Sequence, residues 1–405
     1  MATITHSTLP PEVLNHIFGF LPSRSAFPYM MEGERHSLVA SSHVSRDWRA
    51  VAVPILFNEL VIYCDPSDND ILAKFARFLT VASFRAPVTG EYAYTSFVRT
   101  FEIWTDSFYH GSLPFADVTA PIINIIQLFS RGQIQSMLFR FPTKCERGCC
   151  DILPLVSVVT SRMGDLRRFE LHHVNENTKQ ASRLLAHLPP SLEKLYIEDT
   201  SLERNSLLSL DRLFRLPNIR DLTFYSLQAA ITTEQLERGL AIWGPKFRRL
   251  SLIGCPALAD DQIIFALARH CPNLTVLELG HPFEDPDRPV ILQVSDASMC
   301  RLIDACVRLQ ELYCGDIASL SDAFLAHCAA HARGLKKLTI LSSEMTGWGV
   351  TEVHGWAGLE ELAIADVGSQ RVGRIDKEFR RAVVEGCPAM KECRLGNELV
   401  VGSDT

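Results

Sequence analysis

No stretch of this 405-residue sequence approaches the roughly 18 to 20 consecutive apolar residues needed to cross a bilayer. Its first residues, MATITHSTLPPEV, have neither the basic start nor the apolar centre of an export signal. The expectation is a soluble chain that stays inside the cell, in the cytoplasm, the nucleus or both. Dense Lys/Arg tracts are also missing. Forty basic residues face 47 acidic ones, for a net charge of -7, so neither nucleic acid nor an anionic membrane is an expected partner. HExxH, GxSxG, GxxxxGKS/T and GxGxxG do not occur, which removes the local signatures of metalloproteases, serine hydrolases, phosphate loops and dinucleotide sites. No catalytic role and no cofactor are expected. Cysteine is present, but the 12 residues are spread along a large chain at positions that look like packing sites, as in a reducing compartment. Cys145, Cys149 and Cys150 form one close group near His172 and His173 without the second spaced pair of most zinc sites, so no metal is expected. Asn273-Leu274-Thr275 matches a glycosylation sequon, but it reads as part of an apolar strand and is taken as chance.

What the sequence does contain is a repeat. With 47% apolar residues the chain can fill a core, and from residue 98 onward the pattern apolar-x-x-apolar-x-apolar returns again and again. It is filled in LRRFEL (166–171), LEKLYI (192–197), IRDLTF (219–224), FRRLSL (247–252), LTVLEL (274–279), LQELYC (309–314), LKKLTI (335–340), LEELAI (359–364) and MKECRL (390–395). Weaker copies, VRTFEI (98–103) and IQSMLF (134–139), precede these. Most copies start 24 to 32 residues apart. One strand plus one helix cannot bury both apolar faces alone, whereas stacked units share a continuous core. The fold class expected is therefore α/β, a curved solenoid with a parallel sheet on its inner wall, in preference to a doubly wound sheet. The unit FRRLSLIGCPALADDQIIFALARHCPNL resembles the cysteine-containing class of leucine-rich repeat. That resemblance implies buried packing thiols at Cys271, Cys306 and Cys387, each three residues before the next copy of the pattern.

The opening segment LPPEVLNHIFGFL reads as a helix. Val13, Leu14, Ile17, Phe18 and Leu21 share one face, Pro10 and Pro11 suit a first turn, and Pro22 stops it. A second apolar set follows in residues 35–62. Leu9-Pro10, the helix after it, Val44-Ser45-Arg46 and Trp48-Arg49 together resemble an F-box over residues 8–57. The link at 22–34 is longer than usual, and Ser45 stands where the family commonly has cysteine; neither removes the apolar face. The resemblance implies docking on the Skp-type adaptor of a cullin-RING ubiquitin ligase through Leu9, Pro10, Val13, Leu14, Ile17, Phe18, Leu21, Val44 and Trp48. Three short helices bury little by themselves, which leaves an apolar face for a partner subunit. The alternative is a free-standing repeat scaffold or inhibitor whose N-terminal helices cap the array. The domains expected are an F-box (1–60), a linker or N-terminal cap (61–97) and the solenoid (98–400).

Residues between the apolar positions of each strand point to the open face. The candidates there for holding a target protein are Glu170, His172, Tyr196, Glu198, Tyr225, Arg249, Glu278, Tyr313 and Lys337. The tyrosines stand out because they combine a large apolar body with a polar tip. Segments 106–121, 142–150 and 280–290 read as loops, the last offering Phe283 beside the acidic Glu284, Asp285 and Asp287.

Overall fold

The structure, a computed structural model, describes residues 43, 45–63, 69–89, 93–104, 115–141, 153–174, 178–198, 210–227, 231–280, 292–315, 317, 319–341, 345–365, 375–396 and 398–402. The chain divides into two compact units, residues 1–169 and 170–405. Leu9, Pro10, Val13, Leu14, Ile17, Phe18, Leu21, Val44, Phe283 and the cysteines at 145, 149 and 150 lie outside the described residues.

In the first unit, helix α1 (Arg46–Leu56) begins at Ser45, whose hydroxyl accepts the Trp48 N–H at 3.2 Å. The residue that departs from the F-box pattern is thus a good N-cap. Trp48, Ile55 and Leu56 pack partly buried against Val51 and Ala52. Strand β1 (Glu59–Tyr63), helix α2 (Asn69–Thr89), a 3-10 turn (Tyr94–Phe97), β2 (Thr100–Trp104), α3 (Phe115–Gln127), β3 (Ser136–Arg140) and α4 (Leu153–Arg162) follow, with β1, β2 and β3 parallel and in chain order. β1 is a copy of the repeat missed in the sequence, although Phe57, Leu60 and Ile62 fill its three apolar positions. A second correction concerns 106–121, read as a loop. Residues from Phe115 onward are helical, with Pro121 inside α3. An interior proline costs about 3 kcal/mol, but Ile122, Ile125 and Ile126 are completely buried, each adding roughly 1.5–3 kcal/mol.

Strand β4 (Arg168–His172) spans the boundary, and the second unit goes on with α5 (Thr178–Ala186), β5 (Lys194–Glu198), a 3-10 turn (Leu213–Arg215), β6 (Asp221–Tyr225), α6 (Thr233–Trp243), β7 (Arg249–Ile253), α7 (Asp261–His270) and β8 (Val276–Gly280). It continues with α8 (Asp296–Ala305), β9 (Glu311–Gly315), α9 (Asp322–His331), β10 (Lys337–Leu341), β11 (Glu361–Ala365), α10 (Lys377–Gly386), β12 (Glu392–Leu395) and β13 (Glu398–Gly402). Each strand from β5 to β11 pairs parallel with the next, and β13 pairs antiparallel with β12. This is a leucine-rich-repeat solenoid, as the repeat pattern predicts. Every strand is short because only its second and fourth residues are needed to reach the core; Leu222 and Phe224, Leu250 and Leu252, and Leu277 and Leu279 are all wholly buried.

Two sets of hydrogen bonds hold successive repeats together. The carbonyl just before each strand accepts two N–H groups from the next repeat: Arg220 O from Arg248 and Arg249 at 2.7 and 3.0 Å, Arg248 O from Thr275 and Val276 at 2.7 and 3.0 Å, and so on through Glu360 O. At the other side of the repeat, the first acid of α7, α8 and α9 reaches into the following repeat. Asp261 accepts the Ser295 N–H at 2.7 Å, Asp296 the Ser321 N–H at 2.9 Å, and Asp322 the Thr346 N–H, Thr346 hydroxyl and Gly347 N–H at 2.9, 2.8 and 2.7 Å. The same acids sit at the positive ends of their own helices.

Cys271, Cys306 and Cys387 are the C-cap residues of α7, α8 and α10 and are buried. The Cys306 thiol lies 3.4 Å from the Cys271 carbonyl, and burial pushes the Cys271 and Cys306 thiols up to about 12. Asn273, placed in a strand from the sequence, instead sits in the turn before β8 and donates through Nδ2 to Pro245 O at 3.0 Å. The apolar residue after it begins the pattern two positions before the strand itself.

Replacing Asp322 by alanine strips the acceptor from three donors of the following repeat. A loss of about 1–3 kcal/mol is expected, read as a lower urea midpoint, with Asp322→Asn recovering part of it because one oxygen remains. An unchanged midpoint for Asp322→Ala would show that this staircase does not couple the repeats.

Candidate functional site on the open face of the sheet

With the second and fourth residue of each strand in the core, the first, third and fifth form three files across the open face. Parallel pairing without register shift keeps the files straight: Lys194, Asp221, Arg249, Val276, Glu311, Lys337, Glu361 and Glu392 are successive partners in one of them.

At the β4–β6 end the structure gathers five of the sequence candidates, Glu170, His172, Tyr196, Glu198 and Tyr225. His172 Nδ1 lies 2.6 Å from Glu198 Oε2, and its Nε2 lies 3.4 Å from Glu170 Oε2. Both ring nitrogens thus face carboxylates, and only the imidazolium, with two N–H donors, satisfies both. Tyr196 stacks on the His172 ring with centroids 4.6 Å apart and donates its hydroxyl to Glu198 at 3.2 Å. The chain turns after β4 with His173 at φ 54°, a left-handed conformation uncommon for a residue with a side chain. That turn leaves His173 Nδ1 3.8 Å from Glu198 Oε1.

The electrostatics follow from this geometry. Burial pulls the His172 pKa down, but the hydrogen bonds and charges of Glu170 and Glu198 outweigh it and set the net value above the ordinary 6.5. Burial pushes Glu198 up, and the bond to His172, the two histidine charges and the Tyr196 bond overcome it, leaving Glu198 below the ordinary 4.5. Burial, then the charge of Glu198, hold the Tyr196 proton on more tightly than usual.

The remaining described candidates lie farther along the sheet. Arg249 Nη2 and Glu278 Oε1 pair with each other at 2.6 Å, and Lys337 pairs with Glu361 at 2.7 Å. Tyr313 stands beside Glu278 in register. Its side chain lies over Gly280 and Gly315, where a Cβ would meet the ring at 2.8 Å and the hydroxyl oxygen at 2.9 Å. The two glycines make the space that seats the ring, and the link to Gly280 is invisible in the sequence because it lies in the preceding strand. Of the candidates on the N-terminal face only Trp48 is described, partly buried as given above.

Residues 6–63 match the F-box-like family. Among solved structures, a chain in the crystal structure of the yeast Rad7–Elc1 complex is similar in fold, with TM-score 0.54 and 15% identity over 96% of this chain and 89% of that one. The leucine-rich-repeat-containing protein LegL7 from Legionella pneumophila gives TM-score 0.40 and 12% identity over 73% of this chain and 90% of its own. A comparison with curated proteins finds no match. An F-box-like N-terminus ahead of a leucine-rich-repeat fold fits an F-box/leucine-rich-repeat protein.

The histidine cluster makes a prediction with a definite sign. Because the folded His172 pKa is raised, the stability it contributes is complete below 6.5 and is lost as pH rises through the folded value. Glu198 acts oppositely, contributing above 4.5 and losing that contribution as pH falls through its lowered value. In an NMR titration, Glu198→Gln should bring the His172 midpoint down and flatten the loss of stability above pH 6.5. Superimposable His172 titrations in both proteins would remove Glu198 as the cause.

Proposed function

We propose that this F-box-like, leucine-rich-repeat chain is the substrate-recognition subunit of an SCF-type (cullin-RING) ubiquitin ligase. The observation that carries the reading is the order of its parts, an F-box-like match at 6–63 directly ahead of a repeat solenoid. In this reading Leu9, Pro10, Val13, Leu14, Ile17, Phe18, Leu21, Val44 and Trp48 hold the Skp-type adaptor, and the open face holds the target. Catalysis belongs to other subunits. The chain acts by position, raising the effective concentration of a target lysine near the ubiquitin carrier without a reactive group of its own.

The open face suits reversible protein capture. The Lys337–Glu361 pair is nearly half exposed, and exposed pairs contribute about 0–1 kcal/mol, so a partner can exchange it at little cost. Tyr196, Tyr225 and Tyr313 supply contact area, and Phe283 belongs to the same proposed surface. The second reading, a free-standing scaffold with a helical cap, draws on one observation: the Phe57 ring, next to α1, packs tilted against Tyr94 at 4.8 Å, and Tyr94 against Phe78 of α2 at 5.5 Å. That aromatic chain ties α1 to the start of the array.

A pull-down with purified Skp-type adaptor separates the two. The full chain should retain adaptor, and a Leu14→Asp, Ile17→Asp variant of equal thermal stability should lose it. Retention by neither protein, or a variant whose solenoid melts early, would support the cap instead.

A further inference from the structure

A pair of open clefts lies on the helix side of the second unit, around the 3-10 turn Leu213–Arg215. The larger, about 570 Å³, runs between the end of α5 and this turn, with Pro190, Leu216 and Pro217 as apolar lining and Arg212 and Arg215 as cationic lining. The smaller, about 160 Å³, runs between the turn and α6, with Phe214 and Ile242 as lining and Arg215 and Arg238 beside them. Arg215 and Asp211 line both, so the two clefts form one surface.

The three arginines are set apart by what they do not pair with. Arg220, Arg249 and Arg269, from the same or adjacent repeats, each meet a glutamate, at 3.6, 2.6 and 3.7 Å. Arg212, Arg215 and Arg238 form no ion pair among the described residues. Arg212 Nε donates to the Leu188 carbonyl at 3.0 Å, which anchors its guanidinium at the cleft. Two acids are near: Asp211, whose Oδ1 accepts from Gln235 Nε2 at 2.9 Å, and Glu234, one helical turn before Arg238. Ile242, 49% exposed, lines the smaller cleft. On a chain whose net charge is -7, this is a local excess of planar cations around apolar ground.

Guanidinium groups recognise carboxylates and phosphates by paired N–H donors. Apolar and cationic side chains lining one surface ask for a ligand carrying both characters. A nucleic acid would need a longer cationic track and exposed rings for stacking, and the clefts offer three arginines around proline, leucine and isoleucine. We propose that this double cleft binds an acidic segment of a partner protein, bearing aspartate, glutamate or phosphoserine beside an apolar residue. It lies off the open face, so it is available while that face is occupied, and it does not depend on the adaptor reading.

The test uses the full chain and fluorescein-labelled 12-residue peptides containing Glu, Leu and Ser, with and without phosphate on the serine, and a Lys/Leu/Ser peptide as control. By fluorescence anisotropy at low salt, the Glu peptide should bind and the Lys peptide should not. The phosphorylated form should bind more tightly than its parent, and both should weaken with added salt. R212E/R215E/R238E should lose at least tenfold, R212Q/R215Q/R238Q should also weaken binding, and Arg381→Glu on α10 should bind as wild type. The Leu14→Asp, Ile17→Asp variant should bind the peptide undiminished even if the ligase assignment fails. Equal binding by the triple variants and wild type, or no binding of either acidic peptide, would overturn the proposal. So would an equally charged single-stranded oligonucleotide binding more tightly through the same three arginines.

Discussion

The rest of the structure depends on one carbonyl per repeat. The oxygen just before each strand receives two N–H groups from the next repeat, which fixes how far that repeat is rotated and displaced before any side chain is considered. Parallel strands cannot be joined by tight turns, so without such an anchor their register rests on side-chain packing alone. With it, the alternation of buried and open positions stays in phase from β5 to β12. The helix-start staircase of Asp261, Asp296 and Asp322 performs the same task across the repeat. The repeats that carry these acids are therefore braced at both the sheet and the helix side, by interactions that do not use the open face.

That division leaves the open face to be built for contact. Its charges are largely matched across neighbouring strands, as in Arg249 with Glu278 and Lys337 with Glu361. Matched exposed charges keep the surface well solvated while adding little to stability. The cluster around His172 is different in kind. It is more deeply buried, joins two strands, and holds two carboxylates through one imidazole, so its charge state matters to the stability of the face itself. The Tyr313 ring is positioned by absence, since the missing side chains of Gly280 and Gly315 provide its seat.

Much of this was legible in the sequence. The eleven copies of the apolar pattern mark β2 to β12, and the cysteines before Leu274 and Leu309 are buried helix caps because helix ends and strand starts recur in phase. Phe57, Leu60 and Ile62 were hidden for a simple reason: the distance to the next copy exceeds the period elsewhere. Helix α3 was obscured by Pro121, whose local penalty is outweighed by three buried isoleucines that local rules cannot weigh. Which open-face residues touch was partly legible, since file membership follows from strand alternation. The pairing of Arg249 with Glu278 was not, because it is diagonal to the register Ser251 to Glu278. The double cleft was beyond reach, because its arginines come from a 3-10 turn and a helix that sequence spacing does not place side by side.

The buried thiols at the helix ends have a kinetic consequence. A thiol that burial has pushed to about 12 presents almost no thiolate at neutral pH, and its position against the preceding repeat denies access to reagents. Oxidation or alkylation of Cys271 or Cys306 must then wait until the stack separates at that point. Once modified, the sulfur no longer fits its slot and the repeat cannot close. The same packing that makes these cysteines inert in the intact solenoid turns each of them into a marker, repeat by repeat, of where the array has opened.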